Sequence, residues 1–202
     1  MGRASERERL ERLYTRIQAD PLSRNGRMGS VFVPGVGPLV RGIPVLVGEA
    51  PGRQEEQRRE PFVGQAGQNL NVLLASCGWS REAVFITNLV KFRPIGAAGA
   101  NRSPTLSEGH HALTYLLEEL EILHPSLVVC LGLSAARILL DDRGLKMGQA
   151  NGIWFSGRGY QIAATYHPSP FNFHVPSKRE ALFKAFQRFK DFRRGGAEQH
   201  PF

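Results

Sequence analysis

The sequence predicts an α/β fold, a three-layer α/β/α sandwich around a central four-stranded parallel sheet. Four short apolar runs carry this prediction, at residues 44–50, 83–90, 127–133 and 161–167. Runs rich in Val, Ile and Leu are typical of parallel strands that are buried on both faces. Their alternation with amphipathic segments indicates helices on both sides of the sheet.

Helical spacing of apolar residues predicts the elements around these strands. A first helix is expected over residues 4–19, ended by Pro21. Its apolar face consists of Leu10, Leu13, Tyr14 and Ile17. Further helices are expected at 65–77, 107–123 and 133–141. Residues 22–43 are rich in Gly and Pro, which favours a loop with a short strand near 30–33.

Two capping boxes indicate where helices begin. Thr105 and Glu108 form a capping box for the helix expected at 107–123, and Ser177 and Glu180 open a final helix over 177–192. The apolar face of the final helix consists of Leu182, Phe186 and Phe189. Residues 1–202 are therefore expected to form one domain, with residues 191–202 as a flexible tail.

Composition and charge restrict the class of protein. The chain has 202 residues, of which 42% are hydrophobic, and it contains no apolar run of membrane-spanning length. Without an apolar leader or an evident dimer seam, it is expected to be a soluble, cytoplasmic monomer without a membrane partner. The net charge of +8 favours a polyanionic partner such as nucleic acid, although a merely soluble basic protein explains it equally well.

The two cysteines, Cys77 and Cys130, lie in apolar stretches and are expected to be buried. Two thiols cannot ligate a metal site that needs four cysteines. The sequence therefore implies no metal site and no nucleotide or flavin cofactor.

Polar or glycine-rich residues follow three of the four predicted strands. GEAPG (48–52) follows the first strand, Asn88 and Lys91 lie at the end of the second, and HPSP (167–170) follows the fourth. The carboxyl ends of parallel strands meet at one edge of a sheet, where ligands of open α/β sheets bind. This edge is therefore the candidate functional site.

Five segments in one order carry a resemblance to a known family. They are GEAPG (48–52), PFVGQAG (61–67), TNLVKFRP (87–94), NRSPT (101–105) and HPSP (167–170). Together they resemble the uracil-DNA glycosylase superfamily, closest to its family 4. The resemblance implies a monofunctional enzyme that flips uracil out of DNA, hydrolyses its N-glycosidic bond and initiates base excision repair.

The resemblance implies catalytic roles for two residues. His167 is expected to stabilise the departing uracil anion at O2, and Glu49 to position or activate water and counter positive charge on the sugar. Without the other motifs, His167 is better explained as a turn residue at a strand end. Glu49 has a similar alternative, a carboxylate that accepts backbone N–H groups.

The resemblance also implies substrate-binding residues. The Asn88 amide is expected to pair with uracil O4 and N3–H, a pattern that cytosine reverses. Phe62 is expected to stack on the base, although the sequence alone explains it better as a core residue. Gly48, Ala50 and Gly52 are assigned to substrate binding, and the two glycines allow the backbone to approach the base closely.

Phosphate contacts are expected from a third group. Ser169 lies between two prolines, and Gly64 lies where a helix N-terminus suits an anion. Lys91, Arg93 and Arg102 are candidates for further contacts to the DNA backbone. Each of these cations is explained equally well as a solvated charge.

The four cysteines that hold an iron–sulfur cluster in family 4 are missing. An approximate alignment places Ile17 and Asp20 at the first two positions, Phe92 at the third and a residue near His110 at the fourth. No cluster can therefore form by the usual ligation. Phe92 is expected to join apolar packing under the loop instead.

Two alternative functions stay open at this point. A glycosylase for hypoxanthine or xanthine is one, because the HPSPFN segment (167–172) resembles other branches of the superfamily. A non-catalytic lesion-binding protein is the other, since loss of the cluster favours it. The presence of both Glu49 and His167 argues against a pure binding protein.

Overall fold

The computed structural model describes residues 4–24, 27–157 and 159–192. Its α-helices are α1 (Glu6–Ala19), α2 (Arg53–Arg58), α3 (Gln65–Ser76), α4 (Leu106–Leu123), α5 (Leu133–Leu140), α6 (Met147–Ala150), α7 (Pro170–His174) and α8 (Pro176–Phe192). Its strands are β1 (Val45–Gly48), β2 (Phe85–Asn88), β3 (Leu127–Leu131), β4 (Trp154–Gly157) and β5 (Tyr160–Thr165). Short 3₁₀ turns cover Pro21–Arg24, Arg81–Ala83 and Ala97–Gly99.

The strands form one mixed sheet in the order β2-β1-β3-β5-β4. β1 pairs in parallel with β2 and β3, and β3 pairs in parallel with β5, so the four predicted strands are confirmed. The sheet has five strands and not the predicted four, because β4 pairs antiparallel with β5 at the sheet edge. This strand was missed because its residues are partly to fully exposed and lack a buried apolar run.

Helices cover both faces of the sheet, which confirms the three-layer architecture. Alternate residues of a strand point to opposite faces, so Val45 and Val47 pack towards α1, α4 and α5 while Leu46 packs towards α3 and α8. The predicted apolar face of α8 is fully buried in the second layer: Leu182, Phe186 and Phe189. Cys77 and Cys130 are also buried, as expected.

Helix ends confirm one predicted capping box and correct the other. The Thr105 hydroxyl accepts the Glu108 N–H at 3.2 Å, and the Glu108 carboxylate accepts the Thr105 N–H at 2.7 Å. α8 begins at Pro176, so Ser177 lies inside its first turn and is not the cap. Proline suits the first helical position because its φ is fixed and it has no N–H to satisfy there.

Two segments differ from the sequence-based expectation. Residues 30–33 form no strand, and pairing in this region is limited to isolated bridges of Met28 with Pro94 and Val36 with Ile86. α8 continues through Phe192, so residues 191–192 are helical and not part of the predicted tail. Residues 193–202 lie outside the described residues. None of the described helices is long and apolar enough to cross a membrane.

Candidate active site

Four of the predicted site residues meet at the carboxyl edge of the sheet. Gly48 of β1 lies opposite Asn88 of β2, and His167 follows the end of β5. A Cβ atom on Gly48 would lie 2.3 Å from Asn88 Oδ1 and 2.6 Å from Phe62 Cε2. The rings of Phe62 and His167 lie 5.9 Å apart between centroids, with a 33° angle between their planes. Only a residue without a side chain fits at position 48.

Asn88 is buried yet presents a free amide. Its side chain makes no hydrogen bond to any residue that the structure describes, although only 3% of the residue is exposed. Its backbone is held on one side by Lys91, whose Nζ donates to the Asn88 carbonyl at 2.8 Å. A fixed amide with an unused donor and an unused acceptor is suited to a ligand that offers the complementary pair.

His167 carries a neutral imidazole at pH 7. Burial lowers its pKa from 6.5 to about 4, against an opposing effect of the negative charge on Glu55. Its ring nitrogens, like the Asn88 amide, have no hydrogen-bond partner in the described part of the chain. A neutral imidazole donates one N–H, so it can stabilise a developing anion without giving up a proton.

Two asparagines that the sequence analysis missed hold the loop after β5. Asn69 of α3 donates to the Pro168 carbonyl at 2.9 Å, and Asn172 of α7 donates to the His167 carbonyl at 2.9 Å. Gly132 allows close packing beneath this loop, since a Cβ there would lie 3.3 Å from His167 Cβ. The Asn69 contact joins residues 99 positions apart, and a single sequence carries no signal for it.

One oxygen of the Glu49 carboxylate is fully enclosed and lacks a hydrogen-bond partner in the described part of the chain. This atom is Oε1. Buried carboxylate oxygens are nearly always satisfied, and exceptions concentrate at catalytic sites. The residue directly follows Gly48, the last residue of β1, so its backbone lies at the carboxyl edge of the sheet.

Glu55, which the sequence analysis did not single out, organises the loops beside the site. Its carboxylate accepts the N–H of Gly52 at 3.1 Å and the N–H of Gly64 at 2.8 Å. The anion at the α3 N-terminus is thus Glu55, which corrects the expected phosphate site at the Gly64 amide. Ala50 and Gly52 lie in the connection from β1 to α2, and their contact with the base stays a prediction.

The predicted phosphate contact at Lys91 is corrected by its burial. The Lys91 side chain is 2% exposed, and its ammonium group lies 2.6 Å from Glu119 Oε2. Arg93 is similarly enclosed, with its guanidinium bonded to Asn101 Oδ1 at 2.6 Å and Glu56 Oε2 at 3.2 Å. Both cations stabilise the protein from inside, so neither side chain is directed at solvent.

Arg102 and Ser169 remain closer to the surface. Arg102 pairs with Glu108 at 2.7 Å and retains 20% side-chain exposure. This ion pair and its hydrogen bonds raise the pKa of Arg102. The Ser169 hydroxyl accepts the Asn172 N–H at 3.4 Å, which leaves its O–H free to donate. Phosphate contacts by these two residues stay predictions.

The corner where the resemblance to family 4 implies a cluster is built from other side chains. Asp20 Oδ2 accepts hydrogen bonds from His111 Nε2 at 2.5 Å and from the Tyr115 hydroxyl at 3.1 Å. Phe92 is 1% exposed and packs edge-on against Phe32, with 5.6 Å between ring centroids. Its expected apolar packing is therefore confirmed. These groups do not fit an iron–sulfur cluster, because a cluster needs thiolates and both cysteines lie elsewhere.

A small cleft at this corner is separate from the active site. Its lining includes Ile17, Leu22, Phe92, His111 and Tyr115, but none of the residues that meet around Gly48. The Asp20–His111 contact at this corner joins the end of α1 to α4.

Replacing Asp20 by asparagine should lower the free energy of unfolding by about 1.5–3 kcal/mol at pH 7, because bonds to a charged group are lost. Burial alone would raise the pKa of Asp20, but bonds from His111, the Leu22 N–H, Ser23 and Tyr115 lower it from 3.8. A carboxyl with a depressed folded pKa stabilises above its unfolded pKa, and that contribution is lost as the pH falls through the folded value.

Urea unfolding of wild type and Asp20→Asn between pH 7 and pH 3 checks this expectation. The difference between the two proteins should shrink below about pH 4. Asp142→Asn is the matched control, since Asp142 is exposed and only accepts the Gly144 N–H. A difference independent of pH would contradict the assignment to the Asp20 carboxylate.

Comparisons with known proteins agree with this geometry. The sequence model of the Uracil DNA glycosylase superfamily matches residues 34–189. The chain is 38% identical to a type-4 uracil-DNA glycosylase of Archaeoglobus fulgidus over 164 residues, 78% of this chain and 79% of the relative. It is 41% identical to the type-4 enzyme of Pyrobaculum aerophilum over 144 residues, 68% of this chain and 71% of the relative. A type-5 enzyme of Pyrobaculum aerophilum is 32% identical over 63% of this chain and 62% of the relative.

Proposed function

Because this chain belongs to the uracil-DNA glycosylase superfamily, we propose that it hydrolyses the bond between uracil and deoxyribose in DNA. The products are free uracil and an abasic site, which starts base excision repair. The observation that carries the proposal is the meeting of Phe62, Asn88 and His167 around Gly48, with polar groups that have no partner in the described protein. Relatives named type-4 uracil-DNA glycosylase support it.

Base recognition follows from the Asn88 amide. Its N–H donates to uracil O4 while its oxygen accepts from N3–H, and cytosine presents the opposite pattern at these two positions. A buried amide that is left unpaired by the wrong base makes that base costly to bind. The Phe62 ring beside it supplies a face on which the flipped base stacks.

Leaving-group stabilisation falls to His167. As the C1′–N1 bond breaks, its electron pair moves onto uracil and charge accumulates on O2 and O4. The neutral imidazole donates its N–H to O2, and the low pKa of about 4 keeps it neutral throughout the physiological range. Burial makes this hydrogen bond stronger than it would be in water.

Water attack is assigned to Glu49. The unsatisfied Oε1 accepts a hydrogen bond from a water molecule and directs its oxygen towards C1′. The new C1′–O bond forms as the C1′–N1 bond breaks, and the water proton passes to the carboxylate. The same negative charge counters the positive charge that develops on the sugar.

DNA is the proposed partner. The net charge of +8 favours attraction to phosphates. Ser169 and Arg102 are the predicted phosphate contacts that retain polar groups near the surface. The exposed Phe171 lies two residues after Ser169, and the Lys178 ammonium lies 4.8 Å from the Phe171 ring centroid. The monomeric state and cytoplasmic location stay predictions.

A glycosylase for hypoxanthine or xanthine and a non-catalytic binder are not favoured. Relatives of both type 4 and type 5 bear the name uracil-DNA glycosylase, which favours uracil as the substrate. A pure binding protein would have no use for both an unsatisfied Glu49 oxygen and a neutral His167.

Cleavage of a labelled oligonucleotide tests the proposal. Uracil is placed in a single strand, opposite guanine or opposite adenine, with hypoxanthine and xanthine substrates run in parallel and alkali used to break abasic sites. Release of uracil with alkali-sensitive breaks is the expected result. Activity on hypoxanthine or xanthine alone would show that one of these bases, and not uracil, is the substrate. Selective binding of the lesion without strand breaks would indicate a non-catalytic lesion-binding protein.

Replacing Gly48 by alanine should lower kcat/KM for uracil excision by about 10²-fold, because small displacements of reacting groups are costly. The added methyl would overlap Asn88 Oδ1 and Phe62 Cε2, so one of these side chains must move. Gly157→Ala is the control, since no atom lies within 4 Å of a Cβ there. Steady-state kinetics with both variants measure the effect, and equal activity of Gly48→Ala and Gly157→Ala would contradict it.

A further inference from the structure

Phe62 adopts a backbone conformation that is unfavourable for a bulky residue. Its φ is 55°, in the left-handed region, and its carbonyl oxygen would lie 1.7 Å from a Cβ on Gly67. Non-glycine residues persist there only where surrounding contacts hold them, and such strain concentrates at functional sites. The conformation places the ring against Gly48 and beside His167. Groups that hold this backbone therefore determine where the ring lies.

Arg81 holds the backbone of this turn from one side. The residue opens the 3₁₀ turn before β2. Its Nη2 donates to the Pro61 carbonyl at 2.9 Å, and its Nη1 donates to the Phe62 carbonyl at 3.1 Å. Its Nη1 also donates to Asn71 Oδ1 at 3.2 Å, and its contact with the carboxylate of Glu60 is longer, at 3.4 Å. The planar guanidinium thus binds two consecutive carbonyls, a geometry that a lysine ammonium cannot reproduce.

Glu55 holds the same turn from the other side. Its Oε1 accepts the N–H groups of Val63 at 3.0 Å and of Gly64 at 2.8 Å, the two amides that follow Phe62. Its Oε2 accepts the Gly52 N–H at 3.1 Å, which ties the turn to the loop after β1. The Arg81 guanidinium thus binds the carbonyls of Pro61 and Phe62, and the Glu55 carboxylate binds the amides of Val63 and Gly64.

We propose that Arg81, opposed by Glu55, is a positioning residue that fixes the Phe62 ring as the stacking surface for uracil. The inference rests on the proposed function and adds a residue outside the base-binding edge to it. The side chain of Arg81 is 24% exposed and bonds backbone carbonyls of the turn, so its effect on the base passes through Phe62. Loss of its bonds to the two carbonyls releases a strained backbone and lets the ring leave the site.

Inhibition by free uracil measures this effect apart from catalysis. Arg81→Met keeps an unbranched stem of similar length but removes both donors. The inhibition constant for uracil should rise about tenfold in this variant, since base–aromatic stacking supplies much of the binding. Arg81→Lys should recover part of the affinity, because one ammonium can still reach a carbonyl. Glu60→Gln is the matched control and should leave uracil inhibition unchanged, because it alters only the longer contact.

A double-mutant cycle with Phe62→Ala shows whether Arg81 acts through the ring. Once the ring is absent, Arg81→Met should have no further effect on the inhibition constant. A lower melting temperature in Arg81→Met with unchanged uracil inhibition, or equal effects with and without Phe62, would overturn the proposal. Wild type that neither excises nor binds uracil would remove the proposed function and this inference together. If wild type excises uracil but Arg81→Met has the same inhibition constant for uracil as wild type, only the inference about Arg81 fails.

Discussion

Replacing His167 by alanine is expected to lower kcat for uracil excision by roughly 10²–10³-fold, the usual effect of removing one donor to a developing anion. The imidazole faces Phe62, and its ring nitrogens are unpaired among the described residues. The His167 N–H stabilises mainly the transition state, because uracil O2 carries much less negative charge before the C1′–N1 bond breaks. KM should therefore change much less than kcat.

The pH dependence separates this role from that of a proton donor. With a pKa of about 4, His167 is neutral above about pH 5, so it contributes no inflection to the rate between pH 5 and pH 8. Because the folded pKa lies below 6.5, the unfolded chain binds the extra proton first, and stability falls as the pH drops from 6.5 towards 4. His167→Ala should reduce that loss.

His174→Ala provides the matched control for both measurements. His174 is an exposed residue at the end of α7, in the same segment of chain as His167. Single-turnover rates on a uracil oligonucleotide and urea unfolding between pH 4 and pH 8 make the comparison. A rate inflection near pH 6.5 that disappears in His167→Ala would contradict a neutral imidazole, as would equal rates for the two alanine variants.

The site was predictable where local sequence fixes geometry. Asn88 and His167 end buried apolar runs, so strand direction alone brings them to one edge. β4 escaped prediction because an exposed edge strand can form from residues with no buried apolar run. Its pairing with β5 depends on the tertiary setting, which a short segment does not encode.

The roles of the cations were not predictable for a different reason. The sequence shows the charge of a lysine but not which residue pairs with it. Lys91 pairs with Glu119, which lies 28 residues further along the chain. Arg93 finds Glu56 at a separation of 37 residues. Motif resemblance assigned both to the DNA backbone. Their burial follows from long-range packing of α4 and α2 against the loop after β2, and no periodicity in the sequence reports it.

Lys91 is the centre of a buried network beneath the recognition asparagine. Its Nζ donates to Glu119 Oε2 at 2.6 Å, to the Asn88 carbonyl at 2.8 Å and to the Thr87 hydroxyl. The Tyr14 hydroxyl donates to Glu119 Oε1 at 2.5 Å. Burial lowers the pKa of Lys91, which Glu119 opposes, while burial and Glu119 raise the pKa of Tyr14. The network joins α1, α4 and the end of β2.

Lys91→Met should therefore lower the free energy of unfolding by about 3–5 kcal/mol, because the Glu119 carboxylate is left buried without its cation. Arg16→Met is the matched control. It breaks the neighbouring Arg16–Glu118 pair, whose side chains are 58% and 35% exposed, and should cost only about 0–1 kcal/mol. Urea unfolding at pH 7 measures both variants.

Removal of both charges distinguishes an unpaired anion from lost packing. If the uncompensated carboxylate causes the loss, Lys91→Met combined with Glu119→Leu should be more stable than Lys91→Met alone. Uracil excision should stay lower than in wild type even then, because the Asn88 carbonyl has lost the ammonium that holds it. If Lys91→Met were no less stable than Arg16→Met, the ion pair would contribute nothing to the fold, and another contact would have to hold Asn88 in place.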